Sequence, residues 1–136
     1  MIRILAEKIQ IVNGIWRYFQ RLFRGQTAEK IAADFLSARG LTIICRNYRC
    51  RMGELDIVAK DGETLIFVEV RCRADNRYGH ALDSIDRAKK KRLISAAACF
   101  LTQYESCPCR FDVITMDRLS MDTVNWMMDA FDVPSE

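Results

Sequence analysis

Apolar positions along this chain switch between a helical and a strand period. From Met1 to Arg24, Leu5, Ile9, Val12, Trp16, Phe19 and Phe23 step by three and four, with Arg17, Arg21 and Arg24 interleaved. That spacing predicts an amphipathic helix, weakened in its middle by Gly14. Gly25-Gln26-Thr27 reads as a break and an N-cap that opens a second helix over about Ala28 to Ala38, with the stripe Ala28, Ile31, Ala32 and Phe35 closed by Gly40. Leu41 to Tyr48 is strand-like, and two strands follow around Asp61-Gly62. Ala74 to Gly79 is a polar loop. Ile85, Ala88, Leu93, Ala96, Ala97 and Phe100 predict a long helix from about Ser84 to Gln103. Arg110 to Met116 is a further strand, and Val124 to Phe131 is an apolar ending of either type. Helix, three strands, helix and strand make a mixed α/β layer fold.

The central hairpin carries the chemistry. Asp-Gly between apolar runs is a strong hairpin signal, and a two-residue Asp61-Gly62 turn pairs Lys60 with Glu63, hence Asp56 with Phe67 and Glu54 with Glu69. Period-two alternation then places Glu54, Asp56, Glu69 and Arg71 on one face, with Leu55, Ile57, Ile66, Val68 and Val70 opposite. Carboxylates gathered on one face repel unless a cation or basic side chain lies between them, an arrangement that suits a divalent metal. A solvated face with ordinary ion pairs to Arg71 and Arg73 accounts for the same spacing.

Length and composition restrict the setting. The 136 residues suffice for one domain with a substantial core, half of them are hydrophobic, and the net charge is only +3. The charge is uneven: Met1 to Arg24 holds five basic residues against Glu7, while Asp112 to Glu136 holds six acidic residues against Arg118. This balance excludes a histone-like polyanion binder. The six cysteines show neither a paired CxxC frame nor a Cys/His zinc spacing. With Glu7 and Lys8 interrupting any signal-like apolar region, the expectation is a reduced, cytoplasmic protein whose cysteines are small, mostly buried side chains.

Several short motifs together carry a resemblance. They are Gly25-Gln26-Thr27-Ala28-Glu29, Arg46-Asn47-Tyr48-Arg49, Gly53-Glu54-Leu55-Asp56, Phe67-Val68-Glu69-Val70-Arg71 with Arg73, Tyr78-Gly79, Lys89 with Arg92-Leu93, Arg110-Phe111-Asp112-Val113, and Trp126 with Ala130-Phe131. In these residues the chain resembles the YraN family, small bacterial proteins of unassigned function that are similar to PD-(D/E)xK endonucleases and, more distantly, to archaeal Holliday-junction resolvases. The resemblance covers nearly everything after Gly25. It implies a restriction-endonuclease-like α/β fold, a mixed sheet with flanking helices, in a single domain over residues 25–136 behind an N-terminal extension, 1–24. It further implies a site in which Asp56 and Glu69 hold Mg²⁺ or Mn²⁺, the Val70 carbonyl adds a ligand, and Glu29 completes the set. The chemistry would be phosphodiester hydrolysis of DNA, structured or branched. Hard oxygen ligands suit those ions, and the lack of a histidine cluster argues against a zinc hydrolase.

One departure matters. Arg71 stands two residues after the acid, where the family usually has lysine, and arginine can stabilise a developing anion but cannot give up a proton to activate water. A non-catalytic nucleic-acid-binding module with a degraded site is therefore the rival reading. Arg49, Arg73, Lys89, Lys90, Lys91 and Arg92 are the candidate phosphate contacts, although a charge run is also an ordinary solvated helix face. Tyr48 suits base stacking or, more simply, packing. Asp112 reads as a structural partner of an arginine, Glu54 as a surface residue, and His80 as a solvated loop residue. The amphipathic N-terminus suits anionic lipid, a partner groove or a second copy of the chain as a homodimer.

Overall fold

A computed structural model describes residues 2–72 and 85–133. A long helix, α1 (Ile2–Ala38), leads into an antiparallel meander of β1 (Thr42–Cys50), β2 (Gly53–Asp61) and β3 (Thr64–Cys72). Helix α2 (Arg87–Leu101) precedes β4 (Cys109–Met116), which lies parallel to β3, and β5 (Val124–Phe131) pairs antiparallel with β4. The sheet is five-stranded and mixed, in the order β1-β2-β3-β4-β5. This α/β architecture of a mixed sheet flanked by helices is consistent with a restriction-endonuclease-like fold. The apolar ending resolves as a strand. No helix among the described residues is long and apolar enough to cross a membrane.

Each helix covers one face of the sheet. Ala28, Ala32 and Leu36 recur at four-residue intervals on α1 and pack against Ile57, Ala59, Ile66, Val68 and Ile114. On the other face, Leu93, Ala96, Ala97 and Phe100 of α2 cover Leu55, Val58, Leu65, Phe67 and Phe111. Alternation along β2 therefore slips around Asp56, because Leu55 and Val58 fall on the same side instead of Leu55 and Ile57. The regular β2–β3 ladder ends at Ile57 paired with Val68.

The expected hairpin register is corrected by two residues. Asp61 pairs with Thr64, so Gly62-Glu63 is the turn, and continuing the register sets Asp56 opposite Glu69 and not Phe67. Gly62 takes the positive φ of 58° as the first central residue, the position glycine occupies in a type II′ turn, whereas an Asp61-Gly62 turn would demand it second. The slip of two brings the two acids together and keeps Ile57, Ile66 and Val68 on the α1 face as expected, but Leu55 lies on the α2 face with Phe67 and not opposite the acids, because the alternation of β2 is interrupted at Asp56.

Other boundaries move for identifiable reasons. The break expected at Gly25-Gln26-Thr27 does not occur: α1 runs through it. One glycine costs a helix about 1 kcal/mol, less than nucleating a second helix. Helix α2 begins at Arg87, not near Ser84, because Asp86 caps it by accepting a 2.8 Å hydrogen bond from the Lys89 N–H. That carboxylate also offsets the dipole penalty of the basic first turns. All six cysteines are free thiols, five of them half-buried and Cys109 exposed, so they are less buried than expected. The loop 74–79, Arg73 and His80 lie outside the described residues.

Asp112 is the structural acid the sequence suggests. Buried in β4, it accepts from Arg110 Nε at 3.0 Å and Nη2 at 3.2 Å, from Trp126 Nε1 at 2.9 Å and from the Asp129 N–H at 2.9 Å. The β4–β5 register shifts between Phe111 and Val113, and Asp129 takes a positive φ of 52°. The carboxylate thus holds together the two strands where their ladder is interrupted.

Candidate active site

Where the β2–β3 ladder stops, the strands make room for side chains. The Val70 N–H, released from the ladder, donates to Asp56 Oδ2 at 2.9 Å and fixes that carboxylate across the gap. Glu69 follows Phe67 on the α2 face and is only 5% exposed. Its Oε1 receives Arg71 Nη2 at 3.3 Å from the same strand and Lys89 Nζ at 3.3 Å from α2. From the α1 side, Glu29 comes within hydrogen-bonding reach of Asp56, and Asn47 of β1 hydrogen-bonds Glu29. Three carboxylates and two cations thus converge from four elements.

The electrostatics follow from that crowding. Burial, and then the Asp56 charge, push Glu69 up to about 8, while Lys89 and Arg71 pull the other way without offsetting them. Burial and Asp56 raise Glu29 to about 7, against the Asn47 hydrogen bond and the Arg46 charge. Both groups hold a proton in the folded chain at pH values where the unfolded chain, near 4.5, has released it. Their contribution is therefore fully present below about pH 4.5 and is lost as pH rises through about 7 to 8. In EDTA, the melting temperature should fall between pH 5 and pH 8.5, and the Glu29→Gln/Glu69→Gln variant should flatten that fall. A wild-type melting temperature constant over this range would contradict the arrangement.

The residues fit a hard divalent cation in part. Glu29 Oε2 and Glu69 Oε2 are buried acceptors with no hydrogen-bond donor among the described residues, and Arg71 Nε is a buried donor with no acceptor. A lone buried polar atom costs roughly 1–3 kcal/mol, so the free oxygen of Glu69 suits a cation and the free nitrogen of Arg71, two residues along the same strand, suits an anion. Yet no group of three or more His, Cys, Asp or Glu among the described residues is placed to hold an ion by itself. Mg²⁺ accepts such a set, since it commonly keeps several waters and uses one or two carboxylates plus phosphate oxygens.

The remaining candidates separate. Glu54 pairs with Arg49 at 3.3 Å on the exposed surface. Lys90 lies 5.6 Å over the Phe131 ring, while Lys91 and Arg92 are exposed. Tyr48 packs edge-on against Phe100 at 5.2 Å and donates to Cys99 Sγ, which is packing and not a stacking platform. Two residues of the cluster make contacts that the motifs alone do not predict. The charge run groups Lys89 with the phosphate contacts, but it lies four residues before buried Leu93 and so on the sheet-facing stripe of α2. Asn47 adopts a positive φ of 55°, which asparagine tolerates better than most residues, and so reaches Glu29.

The profile of the Uncharacterised protein family UPF0102 matches residues 28–116, a span that includes Glu29, Asn47, Asp56, Glu69, Arg71 and Lys89. The chain belongs to this family. A UPF0102 protein of Methylobacillus flagellatus is 47% identical over 107 residues, 79% of this chain and 95% of the relative. Another, of Nitrosococcus oceani, is 45% identical over 116 residues, covering 82% and 94%. One of Herminiimonas arsenicoxydans is 49% identical over 109 residues, covering 79% and 86%. Membership of UPF0102 agrees with the YraN-like motifs read from the sequence.

Proposed function

We propose that this UPF0102 protein binds DNA and hydrolyses its phosphodiester bonds at the Asp56–Glu69 pair. The observation that carries the reading is the end of the β2–β3 ladder, where two acids face each other and one of them holds both an arginine and a lysine. Asp56, Glu69 and the Val70 carbonyl would hold Mg²⁺ or Mn²⁺, with Glu29 supporting Asp56. The ion would orient the phosphate, lower the pKa of a bound water and offset negative charge on the phosphoryl oxygens. Arg71 supplies a fixed positive charge for the scissile phosphate. Lys89, brought by α2 onto the same Glu69 oxygen, supplies the lysine that the strand lacks.

A non-catalytic binding module is the second reading, favoured by one observation. Arg71 and Lys89 already occupy Glu69 Oε1 without any ion. Calorimetric titration with Mn²⁺ separates the two, run beside a cleavage assay on single-stranded and branched DNA. The hydrolase reading expects saturable Mn²⁺ binding, a raised melting temperature by mass action, and loss of both together with cleavage in Asp56→Ala. Ion binding or cleavage that survives Asp56→Ala would sink the assignment.

A further inference from the structure

A second feature adjoins the acids. The turn between β1 and β2 and the side of α2 enclose an open groove of about 390 Å³, lined by Arg49, Cys50, Arg51, Met52, Gly53, Glu54 and Arg92. Glu54 is its one carboxylate and is already paired with Arg49. The groove therefore carries an excess of two positive charges, on Arg51 and Arg92, both exposed and neither in an ion pair among the described residues. Like charges brought together at the surface repel unless an anion lies between them.

The backbone fixes this convergence. A Cβ at Gly53 would stand 3.0 Å from the Arg92 carbonyl oxygen, so glycine there lets β2 begin directly against α2. The groove is also an extension of the acidic site along two elements at once. Glu54 precedes Asp56 by two strand residues, roughly 7 Å. Arg92 follows Lys89 by three helical residues, roughly 4.5 Å. Met52 at the rim is 57% exposed, an apolar side chain set beside cations. A free phosphate has nothing to offer a thioether, whereas a nucleotide has its sugar and base.

We propose that this groove holds the phosphodiester backbone of a nucleic-acid strand next to the acidic site, with Arg51 and Arg92 on its phosphates and Met52 against a sugar or base. The proposal rests on the reading of nucleic acid as substrate but needs no metal. Binding is therefore measured in EDTA, by fluorescence anisotropy of a 12-nucleotide single-stranded DNA between 50 and 200 mM salt. Each phosphate contact to a single strand contributes about 0.7 to the log–log salt slope, so Arg51→Gln/Arg92→Gln should flatten it by about 1.4. Met52→Ala should weaken binding at an unchanged slope. Gly53→Ala, which displaces Arg92, should weaken it as well.

Failure of this proposal and failure of the hydrolase reading look different. Asp56→Ala should keep the arginine-dependent slope even if it loses every metal-dependent property, and a flattened slope with no cleavage in any variant would support the groove alone. A slope unchanged in the double arginine variant, or no binding of the oligonucleotide by wild type, would overturn the groove. Inorganic phosphate displacing the DNA much more strongly than sulfate at equal ionic strength, with Met52→Ala silent, would make it a free-phosphate site and overturn the strand assignment.

Discussion

Asp112→Ala is expected to lower the unfolding midpoint by about 10–15 °C. The buried carboxylate accepts from Arg110 through two nitrogens, from the Trp126 indole and from the Asp129 backbone, so its removal strands four donors at once. Breaking a buried charge pair by deleting one partner costs about 3–5 kcal/mol, and a domain of this size loses a few degrees per kcal/mol. Arg110 retains some contact with water, its side chain being 23% exposed, which holds the cost toward the lower end of that range. Asp112→Asn should cost less, because it keeps the shape and one acceptor oxygen. The damage should localise to the β4–β5 edge, seen as early hydrogen exchange in β5 while α1 and β2 stay protected. A midpoint within about 3 °C of wild type would mean that the network contributes little, and that packing of Trp126 against Phe35 holds β5 instead.

What the sequence disclosed depended on the range of the interaction. Asp112 was readable as structural because Arg110 stands two positions away on the same strand. The helical stripes of α1 and α2 and the alternation of β3 were readable because each follows from one element's own period. The register of the hairpin was not, since Asp61-Gly62 and Gly62-Glu63 are both acceptable turns, each with Gly62 at positive φ, and only the pairing of Asp61 with Thr64 distinguishes them. The break expected near Gly25 failed for a similar reason: local glycine propensity is weak against the continuation of an existing helix.

The candidate site shows the same division. Asp56, Glu69 and Arg71 lie on one hairpin and were legible together, whereas Lys89 reaches Glu69 from α2 and Asn47 reaches Glu29 from β1. No spacing rule joins residue 89 to residue 69. The signal for Lys89 was nonetheless present, since it interrupts the line of Ile85, Leu93, Ala97 and Phe100 with a charge. A lysine on the core-facing stripe of a helix needs a buried partner, and an acid on the covered face of the sheet is the available one. Asn47 had no comparable signal beyond its tolerance of left-handed backbone.

Cleavage, on the hydrolase reading, should depend on Lys89 more than on Arg71. The two cations reach the same Glu69 Oε1 at 3.3 Å, but of the two side-chain types lysine is the one enzymes use to transfer protons, while a guanidinium keeps its charge. A positioned proton-transferring group contributes about 10²- to 10⁴-fold, so Lys89→Ala should lower kcat about 100-fold or more, with KM changed far less. Arg71→Lys alone should leave kcat within about threefold, because it duplicates a group already present. In Lys89→Ala/Arg71→Lys, the strand lysine meets the same Glu69 oxygen from the other side and should restore at least tenfold, about 1.4 kcal/mol of barrier. A structural role for Lys89 predicts no such rescue, only the loss of stability that follows from leaving Glu69 with one cation in place of two. Melting curves for each variant therefore accompany the kinetics. Equal kcat in wild type and Lys89→Ala would remove the helix lysine from the chemistry, and would return the site to a carboxylate pair whose cations serve only to hold DNA.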